Sequence, residues 1–215
     1  MAKILITGGA GFIGSQLGNN LDKQGHEVIL LDNMSFGHED NLVIDGKKFG
    51  TFILDDIRNK SLFEHTKGVD YVFHFAGIAP LPNCQEDPYE AVEINVAGTA
   101  NVLEASRVNG VKRVIFASTS AIYENNDLFP CKEEDEVYPD LVYATTKLQC
   151  EHLCNAFTNS YGMDIVCLRF FNVYGPHQDF KRKQPPFTGY LLKQLMNGED
   201  LNVFSDGEQR RDYVH

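Results

Sequence analysis

No apolar run approaches the roughly 20 residues that span a bilayer, and the N-terminus enters a strand pattern directly, without a signal-peptide layout. A cytoplasmic protein that does not enter the membrane is expected. Basic residues are also scarce, 19 Lys and Arg against 30 Asp and Glu, for a formal charge of -11. That balance opposes broad contact with a phosphate backbone, so nucleic acid is excluded as a partner, whereas a small anionic ligand can still be held by helix N-termini and a few arginines. The five cysteines (Cys84, Cys131, Cys150, Cys154, Cys167) contain no Cys-x-x-Cys pair. Reduced thiols and no metal site are the expectation, with Cys150 and Cys154 serving as small hydrophobes on one helix face. Internal repeats and low-complexity tracts are missing as well.

What is present is an alternation. In a 215-residue chain that is 43% hydrophobic, short runs rich in Ile, Val, Leu and Phe predict strands near residues 3–7, 27–31, 50–54, 70–75, 112–118 and 164–170. Their continuity suits strands covered on both faces. Helical spacing fills intervals at 12–24, 89–108 and 143–161, and Gly25, Gly68, Gly110 and Gly162 follow as left-handed C-caps. The order implies an α/β fold with a doubly wound parallel (Rossmann) sheet and right-handed crossovers. After Tyr174 the composition shifts to Gly175-Pro176, the basic cluster Lys181-Arg182-Lys183 and Pro185-Pro186, then a short helix near 189–197 and a strand near 201–204. We read a dinucleotide-binding domain over 1–171 and a partial, small C-terminal substrate subdomain over 172–215.

Three sets of residues carry chemistry. Gly8, Gly11 and Gly14 lie between the first strand and the first helix, at the spacing that gives a tight turn, a close backbone approach and a close helix contact around a pyrophosphate. Asp32 closes the second strand, where a carboxylate bonds both hydroxyls of an adenosine ribose and repels a 2′-phosphate. Asn33 follows and no arginine stands beside it, so NAD is expected rather than NADP. Tyr143 and Lys147 share a helix face at i, i+4, and Thr119 ends a strand. An ammonium near a phenol favours phenolate, so Tyr143 is read as a general base with its pKa lowered by Lys147, and Thr119 as a hydroxyl on the same substrate oxygen.

These sets, together with Thr7-Gly-Gly-Ala-Gly-Phe-Ile-Gly14, Asp56-Ile-Arg58, His74-Phe-Ala-Gly77, Asn95-Val-Ala-Gly-Thr99, Ser118-Thr-Ser120, Arg169-Phe-Phe-Asn-Val-Tyr-Gly-Pro176 and Asp206-Gly-Glu-Gln-Arg-Arg-Asp-Tyr213, resemble the extended short-chain dehydrogenase/reductase family, in particular its nucleotide-sugar epimerases, dehydratases and decarboxylases. The resemblance covers essentially the whole chain. It implies that Phe12 and Ile13 belong to the cofactor turn, that Asp56 and Ile57 contact adenine, that Phe75, Ala76 and Gly77 line the cofactor, and that Asn95 stabilises the central helix. It further implies that Lys147 bonds the nicotinamide ribose, that Asn172 holds the substrate diphosphate, and that Arg211 binds a substrate phosphate. His74 is expected to pack. Ser120 and Ala121 occupy the substrate positions that sort the family's reactions, and neither is a carboxylic acid. The resemblance therefore implies a UDP-glucose 4-epimerase-like enzyme that inverts a sugar C4 centre on a nucleotide-diphosphate sugar, UDP-linked by preference, through a transient 4-keto sugar. A dehydratase, decarboxylase or reductase on the same fold stays open, as does a catalytically idle NAD- or sugar-binding protein. Two departures from the family pattern stand out. Glu124 follows Tyr123 where glycine is common, and the chain stops at His215 where members continue, so a truncated form is expected. Family dimers pair through the two long helices, which implies a homodimer.

Overall fold

The computed structural model describes every residue except Leu128, Lys181, Lys183, Gln184, Phe204, Ser205 and Gln209. The elements in chain order are β1 (Lys3–Thr7), α1 (Phe12–Lys23), β2 (Glu27–Asp32), β3 (Val43–Ile44), β4 (Lys47–Lys48), β5 (Thr51–Leu54), α2 (Leu62–His65), β6 (Tyr71–His74), α3 (Leu81–Glu86) and α4 (Pro88–Val92). They continue with α5 (Gly98–Val108), β7 (Arg113–Thr119), α6 (Val142–Tyr161), β8 (Ile165–Phe170), β9 (Asn172–Val173), α7 (Phe187–Asn197) and β10 (Tyr213–Val214). The chain divides into two compact units, Met1–Phe170 and Phe171–His215.

The first unit holds a six-stranded sheet in the order β5-β2-β1-β6-β7-β8, with every neighbouring pair parallel. It is the doubly wound arrangement expected from the alternation. Period-2 side-chain alternation divides the core between two faces. Leu5, Ile29, Leu31, Val72, Val114 and Phe116 point one way, with Val102 and Leu103 of α5 and Cys150 and Cys154 of α6. Ile4, Ile6, Val28 and Leu30 point the other way, with Phe49, and Leu17 and Leu21 of α1 pack against them. Strand order reverses between β1 and β6, and the crevice at the carboxyl ends of these two strands is where doubly wound sheets bind ligands. Gly25, Gly68, Gly110 and Gly162 all have positive φ between +67° and +84°, the left-handed conformation expected at helix ends.

One expectation is refined and one needs correction. The helix expected over 89–108 runs without interruption, as α4, a π-helical turn over Glu93–Ala97 and α5. Within that turn, Asn95 turns its amide to the backbone of Ile78, accepting from its N–H at 2.8 Å and donating to its C=O at 3.2 Å. The strand expected near 201–204 does not form over 201–203. There the chain bonds to a helix side chain instead, with Gln194 Nε2 donating to Asp200 O and Asn202 N donating to Gln194 Oε1. Lys181, Lys183 and Phe204 of the expected C-terminal features fall outside the described residues.

In the second unit, β9 and β10 pair in parallel, and α7 ends at Gly198 in the left-handed conformation. Among the described residues, no helix is long and apolar enough to cross a membrane, and no group of three or more His, Cys, Asp or Glu is placed to hold a metal ion.

Candidate active site

The turn between β1 and α1 is closed by Gly11 N–H donating to Gly8 O at 3.1 Å. Gly8 has φ +72°, and a Cβ there would sit 2.7 Å from Ala76 N. At Gly14 a Cβ would sit 2.2 Å from Gly8 O. Glycine is therefore demanded at Gly8 by torsion and by contact with the loop after β6, and at Gly14 by contact with the turn itself. The α1 N-cap is Gly11, which offers no side-chain cap, and the first turn contains no acid. The N–H groups at Phe12 and Ile13 thus open a helix N-terminus that favours a bound anion.

Asp32 ends β2 and is buried, 8% exposed. Its carboxylate accepts from Ala10 N at 3.0 Å and Met34 N at 2.8 Å. Burial raises its pKa, and these two hydrogen bonds oppose the rise. A cavity links this carboxylate to the glycine turn. It is lined by Gly8, Gly11, Asp32, Asn33, Asp56, Ile57, Phe75, Ala76 and Gly77, all expected, and also by Leu31, Ser35, Phe36, Gly37, Asp55, Ile78 and Ile94. The loop carrying Ser35, Phe36 and Gly37 escaped the sequence reading. Its available signal was Gly37, where a Cβ would lie 2.9 Å from Asp32 Oδ1. At the rim, Asn33 Nδ2 donates to Asp56 Oδ2 at 2.8 Å, and Arg58 grips the same carboxylate through Nε and Nη2. That guanidinium holds Asp56 down at about 2. The fold thus brings an arginine close to Asn33 that adjacency in sequence did not show, but Asp56 and Glu93 engage its charge.

The second half of the site lies at the ends of β7 and α6. Thr119 closes β7, and its Oγ1 accepts from Ala121 N at 3.1 Å as the cap of a 3₁₀ turn over Ser120–Tyr123. Tyr143 lies in the first turn of α6. One turn on, Lys147 is 5% exposed, its Nζ donating to Ala117 O at 2.9 Å and lying 4.8 Å from the centre of the Phe116 ring. Lys147 Nζ also lies 3.6 Å from where a Gly77 Cβ would stand, so the lysine reaches the wall of the cavity. Asn95 sits behind that wall, joining Ile78 to Thr146 of α6, with Nδ2 donating to Thr146 Oγ1 at 3.1 Å.

The expected electrostatics of the pair are not what the structure gives. Burial raises the Tyr143 phenol pKa, and a hydrogen bond with Thr119 opposes the rise. Burial lowers the Lys147 pKa. Both groups lose hydration of their charged forms, and Ala117 and Phe116 engage the ammonium. The phenol pKa stands above its ordinary value, with the Thr119 hydrogen bond acting to lower it.

His74 is wholly buried. Thr7 Oγ1 meets its Nδ1 at 2.7 Å, and Thr99 Oγ1 meets its Nε2 at 2.9 Å. Because the Thr99 hydroxyl donates to Asn95 O, it accepts from Nε2–H, leaving Nδ1 to accept from Thr7. Burial pushes the imidazole down to about 3, so it is a neutral packing group, as expected.

The glycine turn, the uncapped helix N-terminus and the buried carboxylate of Asp32 fit a dinucleotide, and the sequence model of the NAD dependent epimerase/dehydratase family matches residues 4–215. The chain belongs to this family. Its members differ in reaction. A UDP-N-acetylglucosamine 4-epimerase from Methanobrevibacter ruminantium M1, solved with UDP-N-acetylmuramic acid, superimposes with a TM-score of 0.94 at 35% identity, over 99% of this chain and 68% of that one. DesIV, a dTDP-glucose 4,6-dehydratase from Streptomyces venezuelae solved as a double mutant with NAD and DAU bound, has a TM-score of 0.89 at 31% identity, over 99% and 68%. A UDP-N-acetyl-alpha-D-glucosaminuronate decarboxylase of Bacillus cytotoxicus is 34% identical over 99% of this chain and 67% of its own length. UDP-glucose 4-epimerases are also among the relatives. The cofactor of this epimerase/dehydratase family is NAD, and the cavity at the β1–β6 switch point is where this member's residues fit it.

The remaining expected residues lie in the second unit. Asn172 and Arg211 line one cavity with Val173, Gln178, Pro186, Phe187, Thr188, Val203, Gly207 and Tyr213. Asn172 Nδ2 donates to Asp212 O at 3.0 Å, which ties it to the strand carrying Tyr213.

Proposed function

We propose that the chain is an NAD-dependent nucleotide-sugar 4-epimerase, acting on a UDP-linked sugar. The observation that carries this reading is the set Thr119, Tyr143 and Lys147 beside the cofactor cavity, followed by Ser120 and Ala121. An acid able to protonate a departing 6-hydroxyl is missing from those two positions, and elimination needs one. Gly8, Gly11, Phe12, Ile13 and Gly14 would hold the pyrophosphate, Asp32 the adenosine ribose with Asn33 at its edge, Asp56 and Ile57 the adenine, and Phe75, Ala76 and Gly77 the inner wall, with Asn95 supporting that wall. NAD, when bound there, would supply a reversible hydride acceptor for the sugar C4.

The chain's own residues handle the proton and the placement. Tyr143 Oη, in the phenolate form that its hydrogen bond with Thr119 favours against the effect of burial, takes the proton of the 4-hydroxyl and returns it when the C4 centre is rebuilt with the opposite configuration. Lys147 is anchored by Ala117 and orients the nicotinamide ribose. Ser120 and Ala121 border the sugar, while Asn172 and Arg211 bind its diphosphate, Arg211 by charge-assisted hydrogen bonds. The protein acts in the cytoplasm as a homodimer, pairing through α4, α5 and α6, where Tyr89, Val92, Val108 and Tyr161 are exposed.

The test is incubation with NAD and a panel of UDP-, GDP- and dTDP-sugars, with products resolved by anion-exchange chromatography and NMR. A 4-epimer of a UDP-sugar is expected. A 4-keto-6-deoxy sugar or released CO2 would overturn the assignment in favour of the dehydratase or decarboxylase reading, and binding without turnover would favour an idle binding protein.

A further inference from the structure

The first turn of α6 carries Tyr143, yet this helix has no local cap. Its N-cap is Leu141, which makes no side-chain cap, and its first turn contains no acid. The N–H groups there would be left to solvent, and such a turn frays. Two distant side chains take up the N–H groups at its entry, from Asp140 to Val142. Glu124 Oε1 accepts from Asp140 N at 2.5 Å and from Leu141 N at 2.9 Å. Gln85 Oε1, from α3, accepts from Val142 N at 2.8 Å. A carboxylate at this end is also favoured by the helix dipole.

Glu124 is placed for this by the end of β7. It follows the 3₁₀ turn capped by Thr119, and its own N–H donates to Ala121 O at 3.1 Å. The two residues after it extend the clasp. Asn125 Nδ2 donates to Tyr138 O at 2.7 Å and to Asp140 Oδ2 at 3.0 Å, and Asn126 Nδ2 donates to Glu136 O at 3.2 Å. The segment leaving Thr119 is thus fastened to the segment entering Tyr143, and the chain between them is closed off at its neck. A glycine at position 124 would offer no acceptor to Asp140 or Leu141.

We infer that Glu124 is a positioning residue: its carboxylate caps α6 from the end of β7 and holds the Tyr143 phenol in register with the Thr119 hydroxyl. The inference rests on the proposed role of Tyr143 as base.

The test compares wild type with E124A, E124Q and Y143F by amide hydrogen exchange and steady-state kinetics. In E124A, exchange over residues 140–145 accelerates about tenfold while β7 and the second half of α6 keep their protection, the signature of a local opening. Its kcat falls about tenfold with KM within about twofold, because an interaction that aligns the base is lost rather than one that binds substrate. E124Q keeps the oxygen acceptor and restores both to within about twofold of wild type. Unchanged exchange and kcat in E124A would overturn the inference, and so would loss of protection throughout the sheet. The exchange measurement needs no turnover. If Y143F turns over like wild type, the base assignment fails, whatever Glu124 does to the helix end; if Y143F is inactive and E124A is fully active, the positioning role alone fails.

Discussion

Replacing Gly14 by alanine separates a steric demand from a conformational one. The new Cβ would stand 2.2 Å from Gly8 O, about 1 Å short of ordinary contact, and both the carbonyl and the helix start are backbone. No side chain is available to swing away, so α1 or the glycine turn must shift, at a cost of about 3 kcal/mol, the upper end for overpacking. Gly8 O also accepts from Gly11 N, so the shift deforms the turn that faces the pyrophosphate. NAD affinity should fall by at least about tenfold, roughly 1.4 kcal/mol. Gly25 is the control. Its φ is +84° and a Cβ there meets nothing within 4 Å, so Gly25→Ala should cost only about 1 kcal/mol of left-handed strain and leave NAD binding alone. Urea denaturation and NAD titration of the two variants read both quantities. Wild-type values for G14A, or an equal loss of NAD affinity in G25A, would refute the reasoning.

Further predictions concern Asp32 and His74. Asp32→Asn removes the charge proposed to exclude a 2′-phosphate, so NAD binding should weaken about tenfold and the NAD-over-NADP preference should narrow; an unchanged ratio of the two Kd values would contradict that role. The unfolded chain protonates His74 near its ordinary 6.5 and the folded chain only at about 3. Below 6.5 the unfolded state therefore binds the extra proton, and stability falls as the pH drops from 6.5 toward 3, by up to about 1.4 kcal/mol per pH unit. Urea midpoints between pH 7 and 4.5 should fall more steeply for wild type than for His74→Gln. Asp55 and Asp56, both held at about 2, contribute only at lower pH, where their ordinary 3.8 is crossed. Equal slopes for the two proteins would remove His74 as the cause.

The sheet was legible in the sequence because six buried parallel strands leave six continuous apolar runs, and the crossover order follows from the helical spacing between them. The π-helical turn at Glu93–Ala97 was not legible. No proline or glycine lies within it, Gly98 standing just after, and the Ile78 backbone that Asn95 bonds is 17 residues away. The cofactor half of the site could be read in advance where a backbone constraint dictates the residue, as at Gly8 and Gly14, or where a strand end fixes the position, as at Asp32. The loop at Ser35, Phe36 and Gly37 has neither property, apart from its one glycine. Tyr143 and Lys147 were found by helical spacing, but spacing says nothing of burial, and burial decides the direction of both pKa shifts. Glu124 stood out in sequence only as a departure; its caps on Asp140 and Leu141 depend on a return of the chain 16 and 17 residues later.

The central claim is inversion at C4 through a transient ketone with Tyr143 as the base. It is tested most directly with a UDP-sugar deuterated at C4, incubated with the protein and NAD and followed by NMR. The account predicts the C4 epimer with deuterium retained at C4, and no product when Tyr143→Phe replaces the parent. Epimer carrying solvent hydrogen at C4, or undiminished turnover in Y143F, would contradict it.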